Sequence, residues 1–226
     1  MQDGAERFEL SDIFNEVDEE VRREKLAQLW ERHANLIIAA ALLIVLGVGG
    51  WRGYEYWETK KAAESGAQFE AAVTLAESGK SAEAREAFSK IAAEGSSGYR
   101  TLARFREAAE LTKTDPAAAV KLYDALSADS SIGRSMQDLA TLRAGLILVD
   151  TAPFAELNTR LEPLTASDRP FRHSAREALA IAAWRAGDAT AAQKWFDVIA
   201  TDAETPPGTR QHIDMLMALS NAKAKG

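Results

Sequence analysis

No cysteine occurs anywhere in the chain, which excludes disulfides, thiolate nucleophiles and cysteine-held metals. Histidine is nearly as scarce: His33, His173 and His212 stand far apart, and none falls in a metal-ligand or nucleophile spacing. Nothing reads as a β-strand, and Gly47-x-Gly49 lies inside an apolar run, so it is no dinucleotide fingerprint. A basic footprint is missing too. From Arg52 onward, 22 Lys and Arg face 24 Asp and Glu, with no cluster of the polybasic, lipid-binding or nucleic-acid-binding kind. The carboxylates read as solvated helix faces, as in Glu83/Glu86 and Glu107/Glu110, with no apolar pocket motif to shift a pKa. The expectations are therefore no enzyme, no cofactor, no metal, no nucleic acid and no small-molecule substrate.

One stretch organises what is there. Leu36 to Trp51 reads LIIAAALLIVLGVGGW, sixteen residues without a charge. A helix from Ala34 to Trp51 would run about 27 Å, close to a hydrocarbon core of about 30 Å. Leu36, Ile37, Ile38, Leu42, Leu43, Ile44, Val45, Leu46 and Val48 favour insertion by roughly 3 to 5 kcal/mol together. Trp30 stands before the stretch, and Trp51, Tyr54, Tyr56 and Trp57 follow it, where headgroups accept their polar edges. Two other readings compete. A cleaved signal has a short basic n-region, whereas 35 largely acidic residues precede this run. A buried core helix needs cover on every side, which so small-residue-rich a chain is poorly placed to supply.

The division that follows is an acidic cytoplasmic tail with an amphipathic helix over 1–33, a transmembrane anchor over 34–54 and a repeat domain over 55–226. Met1 to His33 carries 5 Lys and Arg against 10 Asp and Glu, so the net charge of −7 belongs mostly to the tail. Met1 to Leu10 is polar; from Ser11, as N-cap, Phe14, Val17, Val21, Leu29 and Trp30 keep helical spacing. This helix reads either as a solvated surface helix or as a docking segment. Arg22, Arg23, Lys25 and Arg32 before the span, against Arg52, Lys60 and Lys61 after it, favour a cytoplasmic N-terminus. The large C-terminal domain is then extracytoplasmic.

Beyond the span the chain is alanine-rich with helical periodicity. Loop signals at Glu77 to Ser81, Gly95 to Gly98, Thr114 to Pro116, Ala128 to Ile132, Asp150 to Pro153, Ala166 to Pro170, Gly187 to Ala189 and Thr201 to Gly208 cut it into helices of about 12 to 20 residues. One pattern recurs in every second helix: a small or apolar residue, then an aromatic or Leu four later, then Ile or Leu three later. It appears as Ala84/Phe88/Ile91, Ala119/Tyr123/Leu126, Leu157/Leu161/Leu164 and Ala192/Phe196/Ile199, at offsets of 35, 38 and 35. A helix-turn-helix unit of about 34 residues is the period of tetratricopeptide repeats, in which the small residue lets two helices approach and the aromatic fills the gap. Gly79-Lys80 and Gly187-Asp188 hold the same place before Ala84 and Ala192. Leu179 and Ala180 fall where the first helix carries its Leu-Gly pair, and Leu75 at its aromatic position. In repeat 2 the corresponding positions are Arg106, Glu107 and Glu110, a register slipped by a residue or two. The expected fold is all-α: one N-terminal transmembrane helix, then an α-solenoid of about four degenerate tetratricopeptide-like helix pairs, then a C-terminal helix.

The span with its WRGYEYW exit, the SGYRTLARFREAAEL helix and the REALAIAAWRAGDATAAQKWFDVIATD hairpin resemble the family of the ancillary subunit of the bacterial Sec translocon. The resemblance implies a single-pass inner-membrane protein with a periplasmic repeat domain that joins the translocon to a membrane-anchored chaperone of the prolyl-isomerase type. The acidic tail is longer than the family pattern. A structural or assembly role in another envelope complex, in cell division or outer-membrane assembly, is the alternative.

Stacked helix pairs place their first helices on the concave side. Counting back from the repeat alanines puts Phe69, Val73, Arg104, Leu111, Ile181 and Trp184 on that inner face, a groove suited to a hydrophobic segment or amphipathic helix, with Trp184 as anchor. The same residues also read as closing the core against the final helix, Thr209 to Lys223, whose Ile213, Leu216, Met217 and Leu219 need a partner.

Overall fold

The structure, a computed structural model, describes residues 30–219 with their side chains. The expectations for residues 1–29, a loose start, a cap at Ser11 and an amphipathic face, lie outside the described residues. The chain is all-helical, with no strand among the described residues: α1 (Asp3–Glu77), α2 (Ser81–Glu94), α3 (Ser97–Thr112), α4 (Pro116–Ser127), α5 (Arg134–Leu148), α6 (Phe154–Leu161), α7 (Arg172–Arg185), α8 (Ala189–Thr201) and α9 (Pro207–Lys225). It divides into two compact units, Met1–Lys60 and Lys61–Gly226, and α1 contributes to both.

In the first unit, α1 carries a stretch long and apolar enough to cross a membrane. None of that stretch is buried, and Leu36, Leu43, Ile44, Val45, Leu46 and Trp51 are each about two-thirds exposed or more. Ile37, Ile38, Leu42 and Val48 are exposed as well. A helix apolar all round belongs in a protein core or a membrane, and among the described residues no protein surface covers this one.

The second unit begins with the last turns of α1. Each sequence-predicted loop falls between two helices, and the local chemistry explains why. The first helices of repeats 1 and 4 end alike, on glycines with φ of 77° at Gly79 and 73° at Gly187. Lys80 N–H donates to Leu75 O and Gly79 N–H to Ala76 O; Asp188 N–H donates to Ala183 O and Gly187 N–H to Trp184 O. This is the Schellman arrangement, and its left-handed residue favours glycine. The next helix is capped in repeat 4 by Asp188, which accepts from Ala191 N–H at 2.9 Å. In repeat 2 Asp115 accepts from Ala118 N–H at 3.0 Å, with Pro116 opening α4 where its missing N–H costs nothing. Only α6 is shorter than expected. Pro163 follows it, has no N–H to continue the ladder, and the chain finishes in a 3-10 turn over Glu162–Leu164.

All twelve residues of the recurring small-aromatic-aliphatic pattern are buried. All but Ala119 fall into three core patches in chain order. Ala72, Ala84, Phe88, Ile91 and Ala103 join the end of α1 to α2 and α3. Ala108, Tyr123, Leu126, Ala140 and Ala144 join α3, α4 and α5. The third and largest, from Leu142 to Leu216, gathers α5 through α9. Successive helices pack on one another, and α7 also packs on α5 and α9.

The small residues of the first helices are as telling. Ala72, Gly145 and Ala180 are buried twelve residues before Ala84, Leu157 and Ala192. In repeat 2 the spacing is eleven, from Ala108 to Ala119, which is the slipped register. Gly145 is the tightest of these: a Cβ there would lie 2.6 Å from Leu161 Cδ2 and 2.9 Å from Cδ1. Leu161 is fully buried and has nowhere to swing. Gly145→Ala would gain about 0.5 to 1 kcal/mol of helix propensity and lose about 1 to 3 to overpacking. The expected result is a lower midpoint in urea unfolding of the full chain; a higher midpoint would mean that α6 yields at this contact.

Candidate interaction groove

The buried alanines of α3, Ala103 and Ala108, turn one face of that helix to the core and leave another stripe outside it. Leu102, Phe105, Arg106, Ala109 and Thr112 follow at i, i+3, i+4, i+7 and i+10, the spacing of a single helix face. On α5, Met136, Leu139, Arg143, Leu146 and Ile147 do the same. These two stripes are the walls of a groove. Its larger part, about 480 Å³, also takes in Phe69 from α1 and Tyr123 from α4. A continuation of about 290 Å³ shares Ala109, Tyr123 and Arg143 with it.

Its floor is aromatic: the Phe105 and Tyr123 rings lie 5.9 Å apart, tilted by 56°. The Tyr123 hydroxyl donates to Phe105 O at 3.4 Å, so its polar end is satisfied within the wall. Burial pushes this phenol up, while the charges of Arg143 and Arg106 pull it back. Leu102 and Leu146 remain 45% and 41% exposed, unusual for leucines in a domain with this much buried alanine. Neither Arg106 nor Arg143 makes a hydrogen bond or ion pair among the described residues.

A second cavity of about 430 Å³, lined by Ser97, Arg100, Thr101, Arg104, Asp129 and Ser131 among others, is polar and internally paired. Arg104 Nη1 lies 2.5 Å from Asp129 Oδ2. Donation from the Ser131 hydroxyl first, then from Arg104 and the Ser131 backbone N–H, holds the Asp129 carboxyl down at about 2.

The residues expected to share one inner face are dispersed. Phe69 lines the groove, and its ring also meets Phe88 at 5.4 Å and Tyr99 at 5.7 Å. Val73 packs on the first core patch. Arg104 belongs to the polar cavity, and Leu111 is half-buried and lines neither. Ile181 and Trp184 pack on the third patch, which contains Ile213 and Leu216. Leu102, Phe105, Arg106, Leu139 and Arg143 were missed, although the stripe they form is legible once the alanines of α3 are taken as its buried side.

Two carboxylates depart from the solvated faces expected of them. Glu110 is 8% exposed and accepts from Lys113 Nζ at 2.7 Å. Glu107 is half-buried, and burial pushes its carboxyl up despite a hydrogen bond from Ser89 and the charges of Arg85 and Arg104. Among the described residues, no three His, Asp or Glu side chains are grouped to hold a metal ion.

No curated protein and no solved structure matches the chain. The tetratricopeptide repeat-like domain family matches residues 27–197, about three-quarters of the sequence and every helix from α2 to most of α8. Such repeats are typically non-catalytic scaffolds that hold other proteins. With its repeating Ala-aromatic-Ile cores and that match over most of its length, the chain belongs to the tetratricopeptide repeat-like domain family.

Proposed function

We propose that this protein is a membrane-anchored interaction scaffold whose repeats stack as a short α-solenoid and whose groove between α1, α3 and α5 receives a protein partner. The observation that carries the reading is the groove itself, where two exposed leucines flank an aromatic floor; the second unit's other large exposed apolar side chains among the described residues, Met215 and Leu219, lie apart from it on α9. Packing of α7 on both α5 and α9 supports the stacking. The anchor reading rests on the exposed apolar stretch of α1. The proposed division is a cytoplasmic tail over 1–33, the anchor over 34–54 and the repeat domain over 55–226.

The finer assignment is an ancillary subunit that links the Sec channel to a periplasmic membrane-anchored chaperone at a bacterial inner membrane. Its support is the resemblance carried by the WRGYEYW exit and the α7–α8 hairpin. Cross-linking in intact membranes, followed by detergent extraction and recovery of the full chain, tests it directly. Recovery of translocon subunits, lost when Leu102 and Leu139 are both changed to Asp, is expected; recovery of division or outer-membrane assembly proteins alone would replace it.

The anchor has its own test. Leu43→Arg places a charge in the middle of the apolar stretch and costs about 2.5 to 3.5 kcal/mol on insertion scales. The variant is expected in the soluble fraction after carbonate washing, while the parent chain stays with the membrane. Protease added to spheroplasts should digest the repeat domain; protection until the inner membrane is lysed would reverse the orientation.

A further inference from the structure

We infer that the occupant of the groove is an acidic amphipathic helix, held by its apolar face on the Phe105–Tyr123 floor and by its carboxylates on Arg106 and Arg143. This rests on the groove being a docking site, as proposed above, and adds the chemistry of what docks there.

The walls come first. Both are helices, and helix backbones satisfy their own amides, so neither offers a free edge to an extended peptide. A segment entering in extended form would desolvate its N–H and C=O groups without partners, whereas a helix brings its own satisfied. Length agrees. From Leu102 to Thr112 and from Met136 to Ile147 each wall runs about 15 Å, enough for about three turns of a docked helix.

Charge decides the rest. Five arginines of this domain hold a carboxylate: Arg104 takes Asp129, Arg160 takes Asp124, Arg169 takes Asp138, Arg172 takes Glu204 and Arg176 takes Asp202, whereas the exposed Arg100 and Arg134 hold none among the described residues. Arg106 and Arg143 stand on facing walls, α3 and α5, and have none among the described residues. Glu110, one turn along α3 from Arg106, feels that charge but gives its hydrogen bond to Lys113. The apolar lining between the two guanidinium groups offers no carboxylate. An occupant with Asp or Glu along both edges of its apolar stripe supplies what each arginine lacks, and charge-assisted hydrogen bonds beside a desolvated floor are the strong kind. A basic or neutral helix would fill the same volume and leave both guanidinium groups without a hydrogen-bonded carboxylate.

The test uses the full chain in phosphatidylcholine nanodiscs and three fluorescein-labelled eighteen-residue helical peptides. All share one leucine face and differ only in carrying Glu, Gln or Lys beside it; binding is read by anisotropy against empty nanodiscs. The Glu peptide is expected to bind about tenfold tighter than the Gln peptide, with the Lys peptide weakest. In the double variant Arg106→Gln, Arg143→Gln the Glu preference should vanish, and in Arg106→Glu, Arg143→Glu it should invert toward Lys. Both positions are exposed, so the helical circular dichroism of these variants should match the parent. Equal binding of Glu and Gln peptides, or a preference that survives both double variants, overturns the inference. Leu102→Asp with Leu139→Asp separates it from the reading beneath: dependence on the leucines without dependence on the arginines leaves the groove standing and removes the acidic partner. Binding indifferent to the leucines removes both. Self-association of the full chain that disappears with the arginines, with no binding of the Glu peptide, assigns the groove to a second copy and overturns the inference equally.

Discussion

Phe196→Ala is expected to lower the unfolding free energy of the repeat domain by about 3 to 5 kcal/mol. Phe196 is 2% exposed in the third core patch, among Leu157, Leu161, Leu179, Ile199 and Ile213. Removing a phenyl ring loses its transfer free energy and leaves a void, and the void persists only if its walls cannot close. Here they are held apart by the backbones themselves. Ala180, Ala183 and Ala192 already bring α7 and α8 as close as alanine allows, so the helices cannot move inward to fill the gap. Urea unfolding of the full chain measures the effect, with Leu219→Ala, at a half-exposed position on α9, as the control expected to change stability by less than about 0.5 kcal/mol. Coincident curves for Phe196→Ala and the parent would remove the aromatic from its place as the filler between helices.

Asp138→Ala is expected to cost about 3 to 5 kcal/mol by a different route. Asp138, on α5, is 7% exposed and accepts from Arg169 Nη1 at 2.8 Å. Arg169 lies in the segment between α6 and α7, and its side chain is 15% exposed. Taking away the carboxylate leaves a guanidinium partly out of water with no counter-charge, and that penalty exceeds the value of the pair itself. The distinguishing measurement is the double variant Asp138→Leu, Arg169→Leu. If the cost comes from a stranded charge, the apolar pair recovers most of the lost stability. If the double variant is as unstable as the single one, the pair fixes the segment's path and the stranded charge is not the main cause of the loss.

The loops and the repeat cores are legible in the sequence for the same reason. A position that must be small and another that must be aromatic recur because two helices of fixed diameter cross at each repeat, and that demand is written locally. Ala84, Phe88, Ala119, Tyr123, Ala192 and Phe196 all answer it. Gly145 answers it too, twelve residues before Leu157, yet repeat 3 looks degenerate because its second helix carries leucine at all three positions. The groove is harder to read. Counting back twelve from Ala119 lands on Glu107, while the buried residue is Ala108. Each residue of error turns a helix by about 100°, and two are enough to exchange Arg106, on the groove wall, for Arg104, in a different cavity. Ion pairs such as Arg169–Asp138 and Arg160–Asp124 are out of reach, since they join residues 31 and 36 apart and nothing local requires them.

The division of the core into patches has a mechanical side. The first two patches hold five buried residues each among the described residues, the third seventeen. A domain built this way should not loosen all at once: amide exchange should run fastest from the end of α1 through α4 and slowest in α7 and α8. The groove straddles the seam between the two weak patches, touching Phe69, which packs on the first, and Tyr123, which belongs to the second. Whatever lies in it must bridge them. Occupancy would therefore act as a splint, slowing exchange in α2, α3 and α4 together while α7 and α8, already slow, register no change.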